Sequence, residues 1–255
     1  MIRPQHVIDI ALQTAAKLSR AAETIVLVTE RSAASLRWAN NSMTTNGVST
    51  ARQTTVISVV RHGDTARVGS LTTAEVEPSA IEELVAASQS AAVAAPEARD
   101  AAPLLSGNTA PDDWDAPIPS TGPEVFSGVA GPLASGFRGP DQLYGFAQHT
   151  LQTTFLATST GLRRRYTQPA GSVEINAKRD GASAWAGVGT SDFVGVATDS
   201  LLEELSMRLG WASRRVELPA GRYETILPPS AVADMMIYLG WSMTGRGAQE
   251  GRTAL

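Results

Sequence analysis

The stretch Thr24-Ile25-Val26-Leu27-Val28-Thr29, followed by Ser35-Leu36-Arg37-Trp38-Ala39-Asn40 and by the run from Thr54 to Val60, decides the fold class. The first segment is apolar and β-branched, the second alternates, and the third is again β-branched, so all three predict strands. Asn46-Gly47 tolerates positive φ and is expected to turn the chain between two of them. His62-Gly63-Asp64 predicts a further turn before a strand at 65–70. Upstream, Pro4 suits a first helical turn, and Val7, Ile8, Ala11, Leu12, Ala15 and Leu18 recur at helical spacing over residues 4–21. Downstream, Ile81, Leu84, Val85, Ser88, Ala91 and Ala92 repeat the pattern between Pro78-Ser79 and Pro96. Helix, antiparallel strands and helix make an α+β layer over residues 1–95.

Residues 96–140 carry eight prolines and the acidic Asp112-Asp113-Trp114-Asp115, which reads as a Pro-rich linker or surface loop. A middle α+β domain is expected over 141–226. It begins with a helix near Asp141 that includes Leu143, Phe146, Ala147 and Thr150, and Thr153-Thr154-Phe155-Leu156 could prolong the helix or open a strand. The turns Ser159-Thr160-Gly161, Pro169-Ala170-Gly171 and Asp180-Gly181 then space out an antiparallel meander. Asp199 is expected to cap a helix bearing Leu201, Leu202, Leu205 and Leu209, and Tyr223 to Leu227 reads as a strand. Ser230 caps the largely apolar helix that follows, from Ala231 to Leu239. Residues 227–255 read as the start of a further, truncated domain.

Composition removes whole classes of chemistry. The chain has 255 residues, no Cys and a net charge of −4. Without Cys there is no disulfide, no thiolate nucleophile and no cysteine-ligated metal. Basic residues are dispersed apart from Arg163-Arg164-Arg165, unlike the pattern of a dedicated nucleic-acid binder. No apolar run reaches the roughly 20 residues of a membrane span, and the amino terminus lacks the apolar core of a secretory leader, so a cytoplasmic location is expected. The histidines, His6, His62 and His149, have no second His and no Glu at one-turn spacing, which argues against a zinc site in this chain. They read as a helix position, a turn residue and a helix-surface group. Glu203 and Glu204 point about 100° apart and fit a solvated helix face. Gly128-Val129-Ala130-Gly131-Pro132 and Gly187-Val188-Gly189-Thr190 lack the Lys-Ser/Thr ending of a phosphate loop, and no Gly-x-Ser-x-Gly elbow exists.

The segment Leu36-Arg37-Trp38-Ala39-Asn40-Asn41-Ser42-Met43 resembles the Arg-x-Ala-Asn-Asn signature of the TldD/TldE (PmbA) metallopeptidase family. The helix over 79–95, the Pro-rich connection, the Ser159-Thr160-Gly161 turn, Pro228-Pro229-Ser230-Ala231 and the closing Gly245-Arg246-Gly247-Ala248 follow in family order. In the TldD branch the helix after this point carries a His-Glu-x-x-x-His zinc motif. Here it reads Ala233-Asp234-Met235-Met236-Ile237-Tyr238-Leu239-Gly240-Trp241, with neither His nor Glu, and its apolar residues read as core.

The resemblance therefore implies the non-zinc TldE/PmbA-like branch, in its amino-terminal half. Such a chain is a hydrolase-family subunit, not catalytic on its own, in a cytoplasmic heterodimer that cleaves unfolded peptides. It implies no cofactor in this chain and zinc in a TldD-like metallopeptidase partner, while charge pattern and hydropathy lead to the expectation of neither nucleic acid nor membrane as partner. The alternative is a free-standing peptide-binding or scaffold protein without peptidase activity. Arg37, Asn40 and Asn41 offer donors for a peptide carbonyl or carboxylate, and Ser159 and Gly161 are further substrate-binding candidates. A structural reading stands beside each: Asn40-Asn41 as a turn, Arg37 paired with a carboxylate, and Ser159-Thr160-Gly161 as a turn.

Overall fold

A computed structural model describes residues 2–21, 23–98, 102–214 and 216–253. The chain divides into two compact units, Met1–Arg214 and Arg215–Leu255. The first is built on seven antiparallel strands: β1 (Glu23–Ala39), β2 (Ser42–His62), β3 (Thr65–Thr73), β4 (Glu97–Ala98), β5 (Gln142–Thr158), β6 (Arg163–Arg179) and β7 (Ala182–Thr190). They form one sheet in the order β4-β3-β2-β1-β5-β6-β7. The α+β class expected from the sequence is the class found.

Alternation along β1 sets the two faces. Val26, Val28, Ala34, Leu36 and Trp38 are buried, whereas Arg31 and Arg37, at odd positions, are exposed. The buried side is covered mainly by helices, with part of the Pro-rich segment between them. Helices α1 (Pro4–Leu18) and α2 (Pro78–Ala94) supply Val7, Ile8, Ile81, Leu84 and Val85 to a cluster with Val26, Val56 and Phe155. A 3₁₀ turn (Pro123–Phe126), α3 (Ser127–Gly136) and α4 (Thr198–Ala212) supply Phe126, Val129, Leu133, Leu205 and Leu209 to a second cluster with Leu36, Trp38, Val173 and Ile175. Between α2 and the sheet, Gly69 is required: a Cβ there would run into the backbone of Ser88 and Ala92.

Several expectations give way to longer strands. The segment from Asp141 is strand β5 and not a helix: its buried residues Leu143, Ala147, His149, Thr153 and Phe155 follow a period of two, and it pairs with β1 on one side and β6 on the other. β1 is one strand of 17 residues. Asn46-Gly47 lies within β2, opposite Leu36 and Ser35, and the turn falls instead at Asn40-Asn41, both with positive φ. β5, which follows the Pro-rich segment, pairs with β1 from Ile25 to Trp38, so a single sheet runs through both halves of residues 23–190.

Gly128 to Pro132 are helical, within α3. Two glycines and an internal proline cost a helix about 5 kcal/mol together. Burial of Phe126, Val129 and Leu133, at about 2 kcal/mol each, offsets that cost. Helix α4 begins at Thr198 without a side-chain cap, Asp199 lying in its first turn, and runs past Gly210 to Ala212.

In the second unit, no strand is found at 223–227, and Ile226 is exposed. Helix α5 (Pro229–Ser242) starts before Ser230 and buries no side chain of its own; Met235, Met236, Ile237 and Leu239 are exposed, not core. Helix α6 (Gly245–Gln249) follows, capped by the Thr244 hydroxyl, which accepts from the Gly247 amide. No described helix is long and apolar enough to cross a membrane.

Candidate functional site

The five residues singled out from the sequence fall at opposite ends of the sheet. β1 runs from the neighbourhood of Ser159 and Gly161 to that of Arg37, Asn40 and Asn41, and the 14 residues from Thr24 to Arg37 span about 40 Å of strand. These groups cannot act on one bond.

At the first end, Ser159 Oγ accepts from the Thr24 amide at 3.0 Å, and the Ser159 amide donates to the Thr24 carbonyl at 2.8 Å. Gly161 has φ +91°, and a Cβ on it would run into the Gly107 carbonyl. Thr160 Oγ1 donates to the Leu105 carbonyl at 2.7 Å, and the Gly107 amide donates to the Thr160 carbonyl. The turn therefore holds the Pro-rich segment as it crosses the end of the sheet. Arg61 pairs with Glu23 and donates to the Ala102 carbonyl at 2.8 Å, which extends the clasp.

The same segment is fastened along the helix-covered face. Trp114 meets Phe155 edge-on at 5.4 Å, and Arg165 donates to the carbonyls of Asp113, Ala116 and Pro117. His149 is buried and belongs to strand β5, not to a helix surface. Its Nε2 lies 2.9 Å from the Ser191 carbonyl, so that nitrogen carries the proton, and in the neutral ring Nδ1 accepts from the Thr121 hydroxyl at 2.6 Å. The Thr121 amide donates to Ser32 Oγ at 3.0 Å. Phe193, held at φ +62°, packs edge-on against both His149 and Phe126. Nothing in the sequence around His149 marked this joint, because its partners come from residues 28 and 42 positions away.

The opposite end is organised differently. Asn41 Oδ1 accepts from the Leu143 amide at 2.6 Å, its Nδ2 donates to the Asp141 carbonyl at 2.8 Å, and its own amide donates to the Leu143 carbonyl. Asn40 and Asn41 are thus a turn that locks the β1–β2 hairpin to β5. Beside it, Asp141 takes two hydrogen bonds from Arg179, at 2.5 and 2.7 Å. That hydrogen bond, helped by the charges of Asp141 and Asp180 and opposed by burial, raises the Arg179 guanidinium above its ordinary value.

Among the described residues, no carboxylate forms an ion pair with Arg37. It is exposed on the helix-free face, with its guanidinium 6.0 Å from the Phe146 ring. Across the strands its row reads Thr45, Arg37, Phe146, Glu174, Gly187, and the next reads Tyr144, Asn176, Trp185. Lys178 Nζ stands 5.1 Å from the Tyr144 ring, and Trp185, half-exposed, lies over Gly187, where a Cβ would meet its indole at 2.7 Å. Arg31, from the same face, donates to Thr150 Oγ1 at 3.2 Å. This arrangement can hold carboxylates or peptide carbonyls. It offers no nucleophile with a base in hydrogen-bond reach.

Among the described residues, no three His, Asp or Glu side chains are grouped to hold a metal ion. His6 lies on α1, His62 ends β2 and His149 is committed to its two hydrogen bonds, so these residues do not fit a resident zinc.

No protein-family model and no curated protein sequence matches the chain. Solved structures do. TldE from Thermococcus kodakarensis is 12% identical, with a TM-score of 0.63 over 82% of this chain and 48% of its own. A proposed modulator of DNA gyrase from Bacteroides thetaiotaomicron is 14% identical, with a TM-score of 0.72 over 98% of this chain and 60% of its own. A second such modulator, from Thermotoga maritima, is 12% identical, with a TM-score of 0.61 over 85% of this chain and 50% of its own. The chain shares the fold of these proteins and spans about half of their length.

Proposed function

We propose that the chain is a TldE/PmbA-like member of the TldD/TldE family: the non-zinc subunit of a cytoplasmic metallopeptidase heterodimer acting on unfolded peptides, with the zinc in a TldD-like partner. The observation that carries this reading is the fold shared with TldE from Thermococcus kodakarensis over 82% of the chain. The sequence adds support. Helix α5, at the position of the family's zinc helix, holds Asp234 but neither His nor Glu. A hydrolytic zinc needs imidazole or carboxylate ligands held on one face and a position left open for water.

In this reading the chain's own residues bind and orient. The helix-free face around Arg37 presents donors and aromatic surface to an extended peptide, and the clasped end keeps the long strands in register. Bond cleavage falls to the partner.

The test is co-expression with a chain bearing His-Glu-x-x-x-His, followed by affinity capture. The expected result is a stable complex that degrades an unfolded peptide and loses that activity to a chelator. The isolated chain is expected to show neither hydrolysis nor a stoichiometric zinc by elemental analysis. Chelator-resistant hydrolysis by the chain alone, freed of contaminating protease, would overturn the assignment.

A further inference from the structure

The helix-free face is charged against the sign of the molecule. The chain carries a net −4. Yet in the strand positions of this face, away from the clasped end, the described cations are Arg31, Arg37, Arg164 and Lys178, and the described carboxylate is Glu174. All four cations are exposed. Two of them are held in place by their own sheet neighbours, Arg37 against Phe146 and Lys178 against Tyr144. A cation resting on a ring in this way loses part of its rotamer freedom before any ligand arrives, so less entropy is lost on pairing.

We propose that this face binds an extended polypeptide segment bearing carboxylates, with Arg37 and Lys178 as its two anchors and Trp185 flanking them. The proposal deepens the peptide-binding role given above and rests on it. Arg37 lies on β1 and Lys178 on β6, two strands over and four residues along, a separation of about 16 Å. Acidic side chains at i and i+4 of an extended chain point the same way and stand about 13 Å apart, and the length of the side chains on both partners covers the remainder, so both anchors are reached. The two anchor rings are poor platforms for a single-stranded nucleic acid. Base stacking needs open aromatic faces, and here Phe146 and Tyr144 each have a face occupied by a cation. Guanidinium and ammonium groups left with free N–H donors suit carboxylates instead.

The experiment uses the whole chain and three fluorescein-labelled probes read by anisotropy: a peptide of alternating Glu and Thr, the same peptide with Lys for Glu, and oligothymidylate. The Glu peptide is expected to bind, more weakly as salt rises, while the Lys peptide does not. Arg37→Gln combined with Lys178→Gln should weaken binding at least about tenfold, the loss expected for two charge-assisted contacts. Lys17→Gln with Arg20→Gln makes the same charge change at the end of α1, on the helix-covered side, and should leave binding unchanged. All four positions are exposed, and a thermal melt checks that each variant folds. The proposal is overturned if the Glu peptide fails to bind below about 1 mM, if the anchor variant binds as wild type, or if the control pair costs as much. Tighter binding of oligothymidylate would also overturn it and give the face to nucleic acid. Because no partner subunit enters the assay, failure here leaves the complex-formation test standing, and the converse holds.

Discussion

The two ends of the sheet carry turns of similar composition and do different work. At the Ser159 end, small polar residues spend their hydrogen bonds on the chain's own Pro-rich segment: Ser159 on Thr24, Thr160 on Leu105, and Gly161 by leaving room for Gly107. At the Arg37 end, Asn41 closes the hairpin onto β5, while Arg37 is left with only the face of the Phe146 ring for company. A side chain whose donors are satisfied by its own backbone has little left for a ligand. One that remains solvated on an uncovered face keeps its capacity. The difference separates committed side chains from uncommitted ones more sharply than residue type does.

Substitutions should reproduce that separation. Gly161→Val forces a β-branched residue into φ +91° and into the Gly107 carbonyl, and is expected to cost about 4 kcal/mol, read as a large drop in Tm. His149→Leu deletes both ring hydrogen bonds and strands the Ser191 carbonyl and the Thr121 hydroxyl, for an expected loss of about 3 kcal/mol in denaturant unfolding. Asn41→Ala removes two side-chain bonds and puts Ala at φ +58°, for about 2 kcal/mol. Arg37→Ala should change stability by less than about 0.5 kcal/mol, as for an exposed residue without a buried partner. If the first two proved as mild as the last, the clasp would not be structural.

How much of this was legible beforehand follows from where the information lies. Helices α1 and α2 and the hairpin at His62-Gly63-Asp64 were readable because local period and turn residues agree with the final packing. Strand β5 was not. Leu143, Phe146, Ala147 and Thr150 happen to fall at helical spacing, and only pairing with β1 and β6 imposes the period of two. Helix α3 was hidden by its glycines and Pro132, whose cost is met by Phe126, Val129 and Leu133 reaching a core assembled from distant strands. At the site, Arg37 and the Asn pair stood out as a motif, but their division into one exposed group and one turn required the register. His149 gave no local signal, since its buried place depends on Thr121 and on the Ser191 carbonyl.

The account rests on Arg37 being free to act while the opposite end is committed to the fold. The direct measurement is Arg37→Ala in the complex proposed above, with Tm and the chelator-sensitive peptide hydrolysis proposed for it recorded on the same preparation. The predicted result is an unchanged Tm with activity reduced at least about tenfold, in line with the loss of a charge-assisted contact to substrate. A lowered Tm with full activity per folded molecule would contradict it and place Arg37 among the fastenings.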